Sequence, residues 1–236
     1  MSGRLRNRRR RLVLASVLLA MLLGWGTAAS AAPGWTVVPT VDPSAGTNVL
    51  NGVAVRSSSD AWAVGQFTAP DQDDDGLNML AERWNGSRWT QVGAPAVLHQ
   101  DESLLAVSAS SATDAWAVGF TKTVGAAGRF PLAVHWNGSA WAIVPTPTLT
   151  GGSKSTLNGV AALSPTNAWA VGRGRNAAAL AEHWNGTAWS VVQVPTPAGA
   201  ASSQLSGISA LSANDIWAVG SVTSVVGTSV QTRATD

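Results

Sequence analysis

Residues 180–189, L-A-E-H-W-N-G-T-A-W, decide the fold, because they recur at 80–89 (L-A-E-R-W-N-G-S-R-W) and at 132–141 (L-A-V-H-W-N-G-S-A-W). In each copy an Asn-Gly pair joins two short runs with tryptophan at matched places: Trp84 with Trp89, Trp136 with Trp141, Trp184 with Trp189. Asn-Gly tolerates positive φ at both central positions of a type I′ turn, so each copy predicts a β-hairpin. A second phrase precedes the hairpins and occurs four times: D-A-W-A-V-G at 60–65 and 114–119, N-A-W-A-V-G at 167–172, and D-I-W-A-V-G at 215–220. Seven motif copies in register make the repeat the fold.

Trp62, Trp116, Trp169 and Trp217 lie 54, 53 and 48 residues apart, so one unit is about fifty residues. Each unit opens with a Gly- and Ala-rich strand (50–55, 104–109, 157–163, 205–211), followed by a turn of Ser, Asn or Asp, whose side chains hold a bend by bonding nearby N–H groups. The W-A-V-G strand comes next, then a variable loop, a third strand ending in His-Trp or Arg-Trp, the Asn-Gly turn, and a fourth strand running into a proline-rich link. The repeats span about 49–96, 104–147, 157–197, and 205–236 together with 34–40. Four antiparallel strands per unit, tiled without helices, predict an all-β chain forming a β-propeller of about four four-stranded blades. Face-to-face stacking of blades would cover the apolar sides of each sheet. A tryptophan buried there covers on the order of 200 Å², or several kcal/mol at about 25 cal/mol per Å².

The ends bear on closure. Residues 34–40, G-W-T-V-V-P-T, match the fourth strand, while the last unit ends at Asp236 where His-Trp-Asn-Gly should appear. One expectation is that the strand of Trp35 completes the last blade, with residues 227–233 as its third strand, which would remove two exposed sheet edges. The other is a truncated member of a longer repeat series with an open edge.

The D-x-W-A-V-G and W-N-G-[ST]-x-W phrases resemble a tandem-repeat propeller family of exported bacterial proteins. More remotely, the chain is similar to Kelch, Asp-box and photosystem II assembly-factor propellers. The close resemblance runs from Trp35 to about Val230 and implies the fold; those remote relatives include both enzymes and binding proteins, so it implies no single activity. Asp-box propellers place Ser-x-Asp-x-Gly in the turn where this chain has Asn-Gly-Ser/Thr, a departure from their enzyme families.

Six of the fifteen basic residues (Arg4, Arg6, Arg8, Arg9, Arg10, Arg11) crowd the first eleven positions; without them nine basic face thirteen acidic residues, a net charge of −4. The mildly acidic body argues against a nucleic-acid partner. Those arginines precede an apolar run from Leu12 and the small-residue pattern around Ala29 and Ala31, the layout of a signal peptide over residues 1–31. An uncleaved anchor is the alternative, since the apolar stretch to Ala32 approaches the ~20 residues a bilayer needs, and the paired arginines also fit a twin-arginine signal. The expected location is secreted or cell-surface. With no cysteine in the chain, packing alone must hold the fold.

Asp71, Asp73 and Asp75, followed by Gly76, alternate like the oxygen ligands of a calcium loop, and Glu82 falls at the twelfth position. Against this, Glu82 aligns with Glu182, which has no acidic loop; Asn78 replaces the usual apolar residue, and a solvated loop explains the same letters. His135 and His183 share one repeat position, Arg83 in the first unit, which reads as packing or a surface pair. His99 lies in a link beside Asp101 and Glu102, and the three histidines share no zinc spacing. The Asn-Gly-Ser/Thr triplets at Asn85, Asn137 and Asn185 fit the glycosylation pattern, but the hairpin already demands them. The link prolines, such as Pro145, Pro147, Pro195 and Pro197, end strands. Absence of tyrosine excludes a tyrosine nucleophile or copper ligand, and no serine elbow, Walker loop or His-Glu-x-x-His occurs.

The expected function is a non-catalytic binding or scaffold module, a monomer with an extracellular or cell-surface ligand, no cofactor beyond calcium, and membrane contact only through an uncleaved leader. A propeller hydrolase or lyase with a metal in its channel is the alternative, although the first strands that would line it carry no charge. A repeat fragment with no ligand of its own is a third.

Overall fold

Each W-A-V-G phrase becomes the second strand of an antiparallel sheet, paired on one side with the Gly/Ala-rich strand before it. In three sheets it pairs on the other side with the strand ending in tryptophan. The protein is described here by a computed structural model covering residues 34–68, 76–97, 100–123, 128–149 and 154–224. Its first sheet holds β1 (Asn48–Ser57), β2 (Asp60–Thr68), β3 (Leu77–Trp84) and β4 (Trp89–Gln91), in that spatial order. The second holds β5 (Gln100–Ser111), β6 (Asp114–Thr123), β7 (Phe130–Trp136) and β8 (Trp141–Val144). The third holds β9 (Thr156–Ser164), β10 (Asn167–Arg173), β11 (Ala179–Trp184) and β12 (Trp189–Val192), and the fourth β13 (Ala200–Ser212) and β14 (Asp215–Ser224). Apart from a 3-10 turn at Arg175–Ala177, the described elements are strands, so the chain is all-β and built of propeller-type blades.

The glycine that ends each phrase has a steric cause. The first strand of every sheet carries a β-bulge opposite it, between Leu50 and Gly52 in β1 and between Leu104 and Ala106 in β5. A bulge breaks the even spacing of the ladder, and beside it a first-strand carbonyl comes up against the phrase glycine. A Cβ at Gly65, Gly119, Gly172 or Gly220 would stand 1.8–1.9 Å from such an oxygen, so only hydrogen fits there.

The hairpins form where the Asn-Gly pairs predict them, but not as type I′ turns. Gly86, Gly138 and Gly186 have φ of +97°, +96° and +94°, whereas the asparagines are not among the residues at positive φ. Asn85 Oδ1 instead accepts from the N–H groups of Ser87 and Arg88, both at 3.0 Å, and the same clasp recurs at Asn137 and Asn185. The side chain thus acts as an Asx cap, with glycine as the first central residue of the turn. In the first two hairpins Ser87 and Ser139 also donate their hydroxyls to that oxygen, at 2.9 and 2.8 Å.

Successive sheets pack face to face. Trp62 inserts between Trp136 and Trp141 of the second sheet, with ring centroids 5.0 and 4.9 Å away, and Trp116 meets Trp184 and Trp189 of the third, both at 4.9 Å. Leu104, Val107, Leu132 and Val134 complete the first interface; Leu157, Val160, Leu180 and Ala170 complete the second. The third is smaller, with Val171 and Ala181 against Leu205 and Ala218. First strands are stitched across sheets as well: Asn51 donates to the Leu104 carbonyl at 2.9 Å and Asn158 to that of Leu205 at 2.8 Å.

The expectation that residues 34–40 complete the last blade turns on a third strand at 227–233, which lies outside the described residues. Residues 34–40 are in no strand, Trp35 is fully exposed, and the fourth sheet has two strands among the described residues. In the full sheets a fourth strand pairs with a third, as β4 does with β3. Residues 38–236 form one compact unit; of the other, residues 34–37 are described and carry no secondary structure. The expected signal peptide, His99 and the aspartates at 71, 73 and 75 also lie outside the described residues.

Candidate functional site

Strand direction gives each blade two unlike ends. The tight turns, between first and second strands and between third and fourth, share one end. The variable loops and interblade links share the other.

The turn end repeats the same polar set in each full blade. Asp114 accepts a bond from His135 Nε2 at 2.7 Å and another from the Ser110 hydroxyl, and the His135 ring stacks on Trp116 at 4.5 Å. In the third blade Asn167 and His183 are 3.0 Å apart, and His183 stacks on Trp169 at 4.4 Å. In the first, Arg83 donates to Asp60 at 3.0 Å and lies over Trp62 at 5.1 Å, while Arg56 holds the other oxygen of Asp60 at 2.8 Å. Trp84, Trp136 and Trp184 fasten the same end by donating Nε1–H to the carbonyls of Ser58, Ala112 and Pro165, at 2.9, 3.2 and 3.0 Å. Burial works to raise the Asp60 and Asp114 carboxyls, but their cationic and hydrogen-bonding partners outweigh it and hold both below the usual range. Burial lowers His183, favouring its neutral ring. Each histidine is thus tied by a side-chain partner and an indole face, the arrangement of a frame contact.

Three glutamates lie inside the body. Glu102, fully buried, receives the Val97 N–H at 2.6 Å; burial nevertheless raises its carboxyl to about 7, against the lowering effect of the Val97 and Met79 amides. Glu182 sits in the interface between the second and third sheets with both oxygens buried and unpartnered, and burial raises it to about 7. Glu82 is raised by burial too, with the Val41 amide acting to lower it and the Asp42 charge to raise it. By alignment of 35–41 (W-T-V-V-P-T-V) with 141–147 (W-A-I-V-P-T-P), the counterpart of Val41 is Pro147, which has no N–H to offer an acid. The second blade has Val134 at this position, so the frame does not require an acid there.

The loop end is where the blades differ. Asp101 accepts from the Leu77 amide at 3.2 Å and pairs with Lys122 at 3.4 Å, and Arg129 lies over the Phe120 ring at 4.1 Å. In the third blade Ser203 receives the Ala179 amide at 2.8 Å. The 3-10 turn beside it holds Asn176 and Ala177 at φ 53° and 56°, a left-handed conformation that alanine adopts only where the surroundings enforce it. A shallow, open cleft lies here between the third and fourth sheets, lined by Val194, Pro195, Pro197, Ser203, Gln204 and Val222 among others.

No protein family matches the chain by sequence, and no curated protein does. Among solved structures it is similar to YCF48 bound to D1 peptide, with TM-score 0.47 and 16% identity over 81% of this chain and 59% of that one. It is also similar to a fucose lectin from Kordia zhangzhouensis in complex with methyl-fucoside, with TM-score 0.35 and 14% identity over 61% of this chain and 100% of that one. The chain spans about three fifths of the length of the first. The fold assignment rests on the sheets themselves.

The structure brings Trp62, Trp136 and Trp141 together, and likewise Trp116, Trp184 and Trp189. Trp84 and Trp89 pair within the first sheet at 5.6 Å and stay half-buried. Trp169 stacks on His183 at 4.4 Å, and Trp217 donates to Asp215 at 2.9 Å. Among the described residues no group of acids and histidines could hold a metal. Sequence reasoning passed over the buried states of Glu102 and Glu182. The signal for Glu182 was present as an acid aligned with Val134; nothing local marked Glu102.

Proposed function

We propose that this chain is an exported, non-catalytic propeller-type module that binds a partner through the loop end of its blades, at the cell surface or outside the cell. The observation that carries this reading is the contrast between the ends: one repeats the same Asp/Asn, His/Arg and Trp contacts in every full blade, while the other presents different loops on that frame. Loops held on a rigid scaffold can vary without disturbing the core. The cleft of Pro195, Pro197, Gln204 and Val222, where polar and apolar groups mix, lies at this end and is the first surface to probe for a ligand. The arginine-rich, apolar leader supports export.

The test is a screen of immobilised protein against glycan and peptide arrays, repeated with Gln204→Ala and Pro197→Ser. A ligand lost by these variants at unchanged melting temperature supports the reading. No ligand above background, or binding abolished by turn-end rather than loop-end substitutions, ends it. Recovery of the chain from the extracytoplasmic fraction, with an N-terminus near Pro33, checks export.

A further inference from the structure

Every interior sheet uses two different faces. Toward the preceding sheet it shows a leucine, a β-branched residue and a tryptophan pair; toward the following one it shows the tryptophan and valine of W-A-V-G. The exposures follow that order. The leucine is 0% exposed at Leu104 and Leu157 and 5% at Leu205, but 37% at Leu50 on the first sheet. The residue three places on is 8% exposed at Val107 and 7% at Val160, but 64% at Val53. On the opposite side, the phrase valine is 0% exposed at Val64 and Val118 and 2% at Val171, but 50% at Val219 on the last sheet. The Trp84–Trp89 pair has the tilted geometry of Trp136–Trp141 and Trp184–Trp189, with centroids at 5.6, 5.9 and 5.9 Å, yet it is only half-buried.

We propose that these two end faces are the halves of a head-to-tail docking surface, each taken up by a second copy of this chain. The argument is continuity with an interface the protein already makes in succession: the surface that fits Leu50, Val53 and the Trp84–Trp89 pair is the W-A-V-G face, and Val219 presents one. Among the described residues the first and fourth sheets share no core cluster. A second copy supplies each face with the partner it has in the interior. The contact is heterologous, with unlike faces meeting, so it closes into a ring or extends as a stack according to the rotation between copies.

The test is sedimentation velocity of the purified chain over a concentration series, with Val53→Glu, Val219→Glu and an equimolar mixture of the two. Both sites are exposed, so folding is preserved, and thermal melts confirm it. Association of the wild type, weakened about tenfold or more in each variant, supports the proposal, because a buried charge at the contact costs at least that factor. In the mixture one intact face remains on each partner, so association returns but stops at the heterodimer. The proposal is overturned by a wild type that stays monomeric at all concentrations, as when the ends meet within one chain or another segment covers them. It is equally overturned by variants that associate like the wild type, or by a mixture that stays monomeric.

Discussion

Gly119 lies so close to the first strand of its own sheet that a Cβ there would stand 1.9 Å from the Ser103 carbonyl oxygen. The oxygen belongs to a bulged strand packed on both sides, so it cannot retreat without breaking the ladder to β6. Gly119→Ala is therefore expected to cost about 3 kcal/mol or more, read as a loss in denaturant midpoint at unchanged m-value. Gly93→Ala, where nothing lies within 4 Å, is the control and should change little.

Trp116 and Trp35 share a residue type and nothing else. The first is fully buried between Trp184 and Trp189; the second is fully exposed. Trp116→Ala should destabilise by about 3–5 kcal/mol, as large-to-small changes in cores do. Trp35→Ala should stay within about 0.5 kcal/mol in chemical denaturation; a larger loss would mean that 34–40 does pair with a sheet in solution.

Glu182 makes stability depend on pH in an unusual direction. Its folded-state carboxyl is raised from 4.5 to about 7, so between those values the folded chain binds the proton and the unfolded chain does not. Its contribution is fully present below pH 4.5 and is lost as pH rises through about 7. Glu102, raised to about 7 as well, acts in the same sense. Melting temperature should therefore fall from pH 5 to pH 8, although His183, lowered by burial, opposes this in the acidic part of the range. Glu182→Leu removes the Glu182 share and should raise stability at pH 8 by on the order of 3 kcal/mol. A variant with the wild-type pH profile would show that the carboxyl reaches water.

Asp114 works the other way. Its carboxyl is held down by His135 and Ser110 against the effect of burial, so its contribution is present above its unfolded value of about 3.8 and is lost as pH falls through the lower folded value. Asn167 fills the same position in the third blade and bonds His183, so Asp114→Asn should cost less than about 1 kcal/mol at pH 7, whereas Asp114→Leu, which strands a buried bond, should cost about 3. Acid titration of the Asn variant should show a shallower loss of stability below pH 4.

The blades were legible because their signals are local and repeated: W-A-V-G alternation, turn residues before it, and tryptophans matched across Asn-Gly. The turn type was not, because Asn-Gly favours two left-handed residues in isolation, and only the geometry shows Asn85 using its side chain as a cap instead. Nor was the state of Glu182. Its burial depends on a sheet packed against it from the preceding repeat, which no local stretch of sequence displays. Residues 35–39 fit the fourth-strand consensus, and whether they pair depends on a third strand supplied from 227–233, outside the described residues.

The stitching of Asn51 to Leu104 and of Asn158 to Leu205 joins a sheet to its immediate neighbour each time. A protein wired only to its nearest neighbours changes length in whole modules. Duplicating or deleting one fifty-residue segment leaves every remaining junction of a kind already present, so this scaffold can grow or shrink by recombination without redesigning its interior.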